Sequence, residues 1–307
     1  MWISIKLNTI NNKFKKNKMK YLKISMVFAL IAIFMVSCNK DDDITPNNVN
    51  EIEGLQLIKS FTTEGYTLEL FNKTGNFQVG YNKITLRLKD GGGQYIDNAV
   101  MDWMPMMTMN MGGMTHEHSC PYSEISKVSG KQTLYDGYIV FIMASDEPDN
   151  YWDLHFNLSV NGQDISIEDR VNVISTESEY NKVYTSGMGT DDVNYMLALV
   201  EPSDPNIGTN DIVVGLFKNG QNHDFPVVNG YKIEVDPRMP GMGNHSAPGN
   251  EPMTQESDGF YHGKVGFSMS GYWKINLILK DGSGTVIKGE SVTESNPESS
   301  LNFKIEF

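Results

Sequence analysis

The sequence predicts an all-β chain of two tandem immunoglobulin-like antiparallel β-sandwich domains, and three observations carry that prediction. From about residue 52 apolar and polar side chains alternate in short runs, the runs end in clusters of Gly, Asn or Asp, and no helical period is sustained for more than a turn or two. Many short strands separated by turn signals favour sandwiches over barrels.

The chain begins with an address. Residues 1–37 hold seven lysines (Lys6, Lys13, Lys15, Lys16, Lys18, Lys20, Lys23) and no acid. The uncharged stretch Ile24 to Val36 that follows is too short for a bilayer, which takes ~20 residues, and has the basic-then-apolar form of an export signal. Met19 offers a second start, since Met19-Lys20-Tyr21-Leu22-Lys23 alone supplies a basic n-region. Met35-Val36-Ser37-Cys38 resembles the lipobox of bacterial lipoproteins, and this implies cleavage before Cys38 and a diacylglycerol on its thiol. Residues 38–51 are polar and acidic and read as a flexible tether. Lys40-Asp41-Asp42-Asp43 within it looks like the surface-export signal of Bacteroidetes lipoproteins, against the plainer reading of a solvated charge run. The expected location is the outer membrane, on its periplasmic face or the cell surface, held through the lipid on Cys38.

Two β-units follow. Ile84, Leu86 and Leu88 alternate before Asp90-Gly91-Gly92-Gly93, and Ile212, Val214 and Leu216 alternate before Asn219-Gly220. Trp152, Leu154, Phe156 and Leu158 alternate before Asn161-Gly162, as Trp273, Ile275, Leu277 and Leu279 do before Asp281-Gly282. Ile212 lies 128 residues after Ile84, Gly259 lies 122 after Gly137 and Trp273 lies 121 after Trp152, the mark of a diverged internal duplication. The expected domains are 52–174 and 180–307, with Ser175-Thr176-Glu177-Ser178-Glu179 as the polar junction.

Composition excludes several functions. Of the 25 basic and 38 acidic residues, 18 basic and all 38 acidic lie beyond residue 37, a net charge of −20 that repels phosphate backbones and argues against nucleic-acid binding. With Cys38 lipidated, Cys120 has no partner for an internal disulfide. No phosphate loop or dinucleotide fingerprint occurs, Asp41-Asp42-Asp43 and Asp191-Asp192 lack the spacing of a calcium loop, and Gly266-Phe267-Ser268-Met269-Ser270-Gly271 ends in the wrong residues for a nucleophile elbow. An enzyme is not expected.

The anomaly lies between residues 101 and 120. Seven of the eighteen methionines (Met101, Met104, Met106, Met107, Met109, Met111, Met114) fall within fourteen positions, followed by His116, His118 and Cys120. Met107, Met109 and Met111 fit a strand, whereas Met104, Met106, Gly112, Gly113 and Met114 break its alternation. Methionine fills cores readily, yet it specifies packing poorly, and nothing in a sandwich edge calls for seven. Thioethers are neutral soft donors that prefer Cu(I) to Zn(II), and imidazole binds either copper state. Met109, Met111, Met114, His116 and His118 are therefore candidate metal ligands, and Met111 to His118 offers two thioethers and two imidazoles on a glycine-softened loop that can fold around one ion. His116 and His118, two apart, share one side if extended. Met239-Pro240-Gly241-Met242-Gly243-Asn244-His245 repeats the elements: Ile84 precedes His116 by 32 residues and Ile212 precedes His245 by 33. A zinc site from His116, His118 and Cys120 is the weaker alternative. His155 reads as a surface residue.

Met239-Pro240-Gly241-Met242, Asp258-Gly259-Phe260-Tyr261, Phe267-Ser268-Met269 and Gly271-Tyr272-Trp273 together resemble the YtkA-like or FixH-like domain over about residues 205 to 285. The first unit is similar more loosely, through Trp103-Met104-Pro105-Met106, Asp136-Gly137-Tyr138, Met143 and Trp152, with nine residues from Met143 to Trp152 where Met269 to Trp273 is four. The resemblance implies a small extracytoplasmic β-sandwich associated with copper handling and oxidase assembly, with Met239, Met242, His245 and Met269 as second-domain ligands. The expected function is a copper chaperone, buffer or sensor, with Cu(I) ahead of Cu(II) and a copper-accepting protein as partner. The rival is a surface adhesion or assembly module whose methionine loop is an apolar contact for a protein.

Overall fold

Period-two alternation puts every second side chain on one face of a strand, and those faces meet here in two separate cores. The structure is a computed structural model that describes residues 50–307 apart from Glu64 and Asn222. The expected signal, Cys38 and nearly all of the tether lie outside the described residues. Among the described residues the one helical segment is a single 3-10 turn, Pro240–Met242, and none is long and apolar enough to cross a membrane. The strands pair antiparallel except for the short parallel contact of Phe77–Gln78 with Val173–Ile174.

In the first half one layer runs, in spatial order, Gln56–Thr63, Tyr66–Asn72, Gly80–Asp90, Leu134–Phe141 and Ser126–Lys127. The other runs Gln163–Val171, Asn150–Val160, Val100–Met111 and Met114–His118. Leu70, Ile84 and Leu86 from the first layer pack on Trp103, Met107, Trp152 and Phe156 from the second. Phe61 and Phe156 meet across the gap edge to face, ring centroids 5.1 Å apart.

The second half repeats this strand order. Tyr184–Met188, Asn194–Glu201, Gly208–Lys218, Tyr261–Phe267 and Glu251–Gln255 take the first layer's places. Lys232–Met239 and Tyr272–Lys280 take the inner places of the other, flanked by His245–Ser246 and by two short strands, Val286–Lys288 and Asn302–Glu306. Its layers are stitched along both margins. Glu251–Gln255 pairs with Tyr261–Phe267 on one side and Lys232–Met239 on the other, and Lys182 and Lys304 exchange backbone hydrogen bonds of 2.9 and 3.0 Å. No strand lies between Ile174 and Tyr184.

Register shows which residues correspond. Ile84 stands opposite Gly137, and Ile212 opposite Gly263, so the counterpart of Gly137 is Gly263 and not the Gly259 that spacing suggested. Gly259 belongs to the turn before that strand, and turn lengths differ between the halves. The backbone N–H of Ala99 donates to the Tyr135 hydroxyl at 2.9 Å, as that of Tyr231 does to Tyr261 at 3.1 Å.

A third apolar cluster joins the halves: Val140 from the first, Met196, Ala198 and Phe217 from the second, flanked by Tyr81, Tyr138 and Tyr184. The Tyr138 ring lies 5.4 Å from Phe260 and 6.2 Å from Phe217. Burial pushes the Tyr81 and Tyr138 phenols up, and Tyr184 up to about 12. Residues Glu51–Phe307 accordingly form one compact unit.

Candidate metal centre

Val100–Met111 is one unbroken strand. Met101, Trp103, Pro105 and Met107 point into the core, while Met104 and Met106 lie on the other face, so the expected break in alternation is absent. The strand could carry methionine on both faces because its outer one is only partly covered. The Ser119 hydroxyl, just past the end of the partner strand, donates to the Pro105 carbonyl at 2.6 Å.

Beyond the core this strand turns back on itself. Met111 is paired with Met114, Met109 with His116 and Met107 with His118. Gly112 and Gly113, at φ +60 and +83, make the two-residue turn, a left-handed pair of the kind that suits the twist of a hairpin. Directly opposed residues of an antiparallel ladder share a face. Met109, Met111, Met114, His116 and His118 therefore all lie on the face that continues outward from the core. The opposite face is polar, and there Thr115 donates to Asn110 at 2.8 Å. Met107 is buried, Met109 half-buried, and Met111 and Met114 are 55% and 64% exposed, so the row leads from core to solvent.

This geometry corrects the expectation of a loop. The segment is an extended hairpin, whose successive same-face rows stand about 7 Å apart and whose His118 row is about 13 Å from the Met111–Met114 row. Met109, Met111, Met114 and His116 occupy the two outermost rows of this face, and His118 the next row inward. The His118 ring stands edge-on to Trp152, centroids 5.8 Å apart, with Nδ1 3.2 Å from the Ser119 carbonyl.

In the second half Met239 is paired with His245 across the turn that carries Met242. Met239 is buried, its Cε so near Gly271 that a Cβ there would come within 3.0 Å. Met242 and His245 are exposed, and His245 Nε2 lies 3.3 Å from the Ser268 hydroxyl, next to the partly exposed Met269. The four ligands the resemblance implies thus gather at one end of this sandwich.

Register also shifts the match between halves. Pro105 stands opposite Leu154, two residues from Trp152, and Pro237 opposite Ile275, two residues from Trp273. Pro105 therefore corresponds to Pro237, not Pro240, and Met107 to Met239. His118, rather than His116, is the counterpart of His245. The shared Met-Pro pattern at Met104-Pro105 and Met239-Pro240 falls at different depths because the hairpin turns differ in length.

The zinc alternative is not supported by the fold. Cys120 is fully buried in the first core, where burial pushes its thiol well up, and among the described residues no three His, Cys, Asp or Glu side chains converge. His155, half-buried rather than a plain surface residue, faces Glu168 at 3.3 Å, and His262 lies 2.9 Å from Asp258.

Residues 191–277 match the YtkA-like family. The YtkA-like segment lies wholly in the second half and contains Met239, Met242, His245 and Met269. Among solved structures, the Escherichia coli adhesin FdeC is 14% identical over 79% of this chain and 74% of its own, with a TM-score of 0.22. The Yersinia pseudotuberculosis adhesin InvE is 11% identical over 75% and 56%, with a TM-score of 0.21. No curated protein matches the chain.

Two features escaped the sequence reading. One is the likeness of Met143 to Met269, hidden by unequal spacing: each carbonyl accepts the indole N–H of its own half's tryptophan, Trp152 or Trp273. The joining cluster was missed too, although the uninterrupted run Tyr195-Met196-Leu197-Ala198-Leu199 departs from alternation as a strand buried on both faces does.

Proposed function

We propose that the protein is a lipid-anchored, extracytoplasmic copper-binding protein, a chaperone, buffer or sensor that holds Cu(I) in preference to Cu(II) and passes it to an accepting protein. We take its two halves as diverged copies of one YtkA-like unit, a reading supported by the recurrent strand order and by the paired tyrosine hydrogen bonds. Anchoring rests on the lipobox at Cys38, with the outer membrane as destination.

The observation that carries the copper reading is the single hairpin face bearing Met109, Met111, Met114, His116 and His118. Neutral thioethers and imidazoles without converging carboxylates suit a soft monovalent ion and give little to Zn(II), Mg(II) or Ca(II). Cu(I) titration of the mature protein under reducing conditions tests it, beside a variant with Met109, Met111, Met114, Met239 and Met242 changed to leucine. Leucine keeps the apolar volume at a usual cost below ~1.5 kcal/mol per site and deletes the sulfur. Copper stoichiometry and affinity should fall while the fold persists. Unchanged binding would make the methionines packing residues. The adhesion module would then take its place, with exposed Met111 and Met114 as its apolar contacts.

A further inference from the structure

We infer that the first half carries two soft-metal stations, a hairpin-tip station of Met109, Met111, Met114 and His116 and an inner station in which Met143 joins His118 beside Trp152. The inference rests on the copper reading and deepens it by adding a ligand and an ion.

The first step is reach. The His118 row stands about 13 Å along the strands from the Met111–Met114 row, and the His118 ring is packed edge-on against Trp152 at the core end of the hairpin. If His118 binds metal, it needs other partners.

The second step finds one. The indole Nε1 of Trp152 donates to the Met143 carbonyl at 2.9 Å, and that of Trp273 donates to the Met269 carbonyl at 3.0 Å. The two tryptophans occupy matching places: each is buried on the strand next to the one bearing Met107 or Met239. The same hydrogen bond therefore sets the Met143 carbonyl where the Met269 carbonyl sits, although Trp152 follows Met143 by nine positions and Trp273 follows Met269 by four. The additional residues close a turn of their own, Asp146 and Asn150 exchanging backbone bonds of 2.8 and 3.0 Å. Met143 and Met269 are alike in exposure as well, 41% and 38%.

Third, His118 and His245 correspond, each opposite the buried methionine of its hairpin. The constellation Trp152, Met107, His118, Met143 thus repeats as Trp273, Met239, His245, Met269. In the first half the indole is the common neighbour: its N–H donates to the Met143 carbonyl, and its ring meets the His118 ring edge to face. An imidazole and a thioether at the rim of an apolar core, with no carboxylate among them, make a site for a soft cation of low charge.

The mature full-length protein should bind three Cu(I): one at the tip, one at the inner station and one in the second half. Titration against a Cu(I) chelator under anaerobic reducing conditions, with tryptophan fluorescence as a second signal, reads this directly. Met143→Leu should remove one ion or weaken it at least about tenfold. It should also abolish the part of the quenching that comes from Trp152, with an unchanged far-ultraviolet spectrum. His118→Ala should delete the same ion, and Met111→Leu with Met114→Leu a different one. Binding of only two ions by the wild type, or unchanged binding by Met143→Leu where Met269→Leu loses an ion, overturns the inner station alone. A wild-type protein that takes up no Cu(I) overturns the copper reading itself.

Discussion

Phe217→Ala probes the cluster that joins the halves. The ring is 2% exposed and packs with Val140 and Tyr138 of the first half and with Met196 and Ala198 of its own. Burying the side chains of Val140, Met196 and Phe217 is worth roughly 5–9 kcal/mol in all, at about 1.5–3 kcal/mol each. Truncating a buried phenylalanine costs about 3–5 kcal/mol, so this one change should remove a large share of what holds the halves together. Urea denaturation of residues 51–307 should show that loss. In a segment starting at Tyr180, expected to fold alone as a β-rich unit, the ring faces water on the side Tyr138 covered, and the same substitution should cost less than half as much. Equal costs in both would place the ring's contribution inside the second half's own packing and refute the joining role. A disordered spectrum from the segment, with the full chain folded, would refute two independently folding units.

Two further outcomes follow from the same geometry. Tyr184, raised to about 12 by burial, and Tyr81 and Tyr138, raised likewise, favour the folded state as neutral phenols. Their contribution is complete below the ordinary tyrosine value near 10 and is lost as pH rises from there through about 12, so denaturation midpoints should fall in that window together with the rise in tyrosinate absorbance. Midpoints flat across the window would show these phenols to be open to water. At the hairpin tip, Gly112→Ala with Gly113→Ala places side chains in left-handed backbone at about 1–2 kcal/mol each, which should fray the Met111–Met114 pair and weaken the tip ion about tenfold or more without deleting a donor. Gly112→Asn, tolerated in that conformation, should lose much less; equal losses would point away from strain.

The strands were legible in the sequence because burial on one face writes itself as period two. Ile84, Leu86 and Leu88, or Trp273, Ile275, Leu277 and Leu279, are each wholly buried where alternation placed them. Register was not legible, because alternation names a face and not a partner. The Met-Pro pairs at Met104 and Met239 therefore invited a match that the ladder shifts, and Gly137 was matched to a turn glycine. The indole bond to Met143 was hidden for a related reason: an added turn changes spacing in the chain without moving the carbonyl in space.

The methionine run owes its double character to the same ladder. Met101, Met107, Met109 and Met111 are chemically identical and share one face of one strand. Over Met101 and Met107 the opposing layer excludes water, and a thioether there contributes packing. Past Met109 that cover thins, and by Met111 more than half of the side chain is exposed. A core strand continued beyond its sandwich thus presents in water the side chains it used for packing. Leucine would fill the buried stretch as well, but at the exposed end it would give only an apolar patch. Methionine there leaves a sulfur lone pair free, and the ladder sets the imidazole of His116 directly opposite Met109. On the copper reading, passing from packing to coordination would require no change of residue type, only the end of the facing layer.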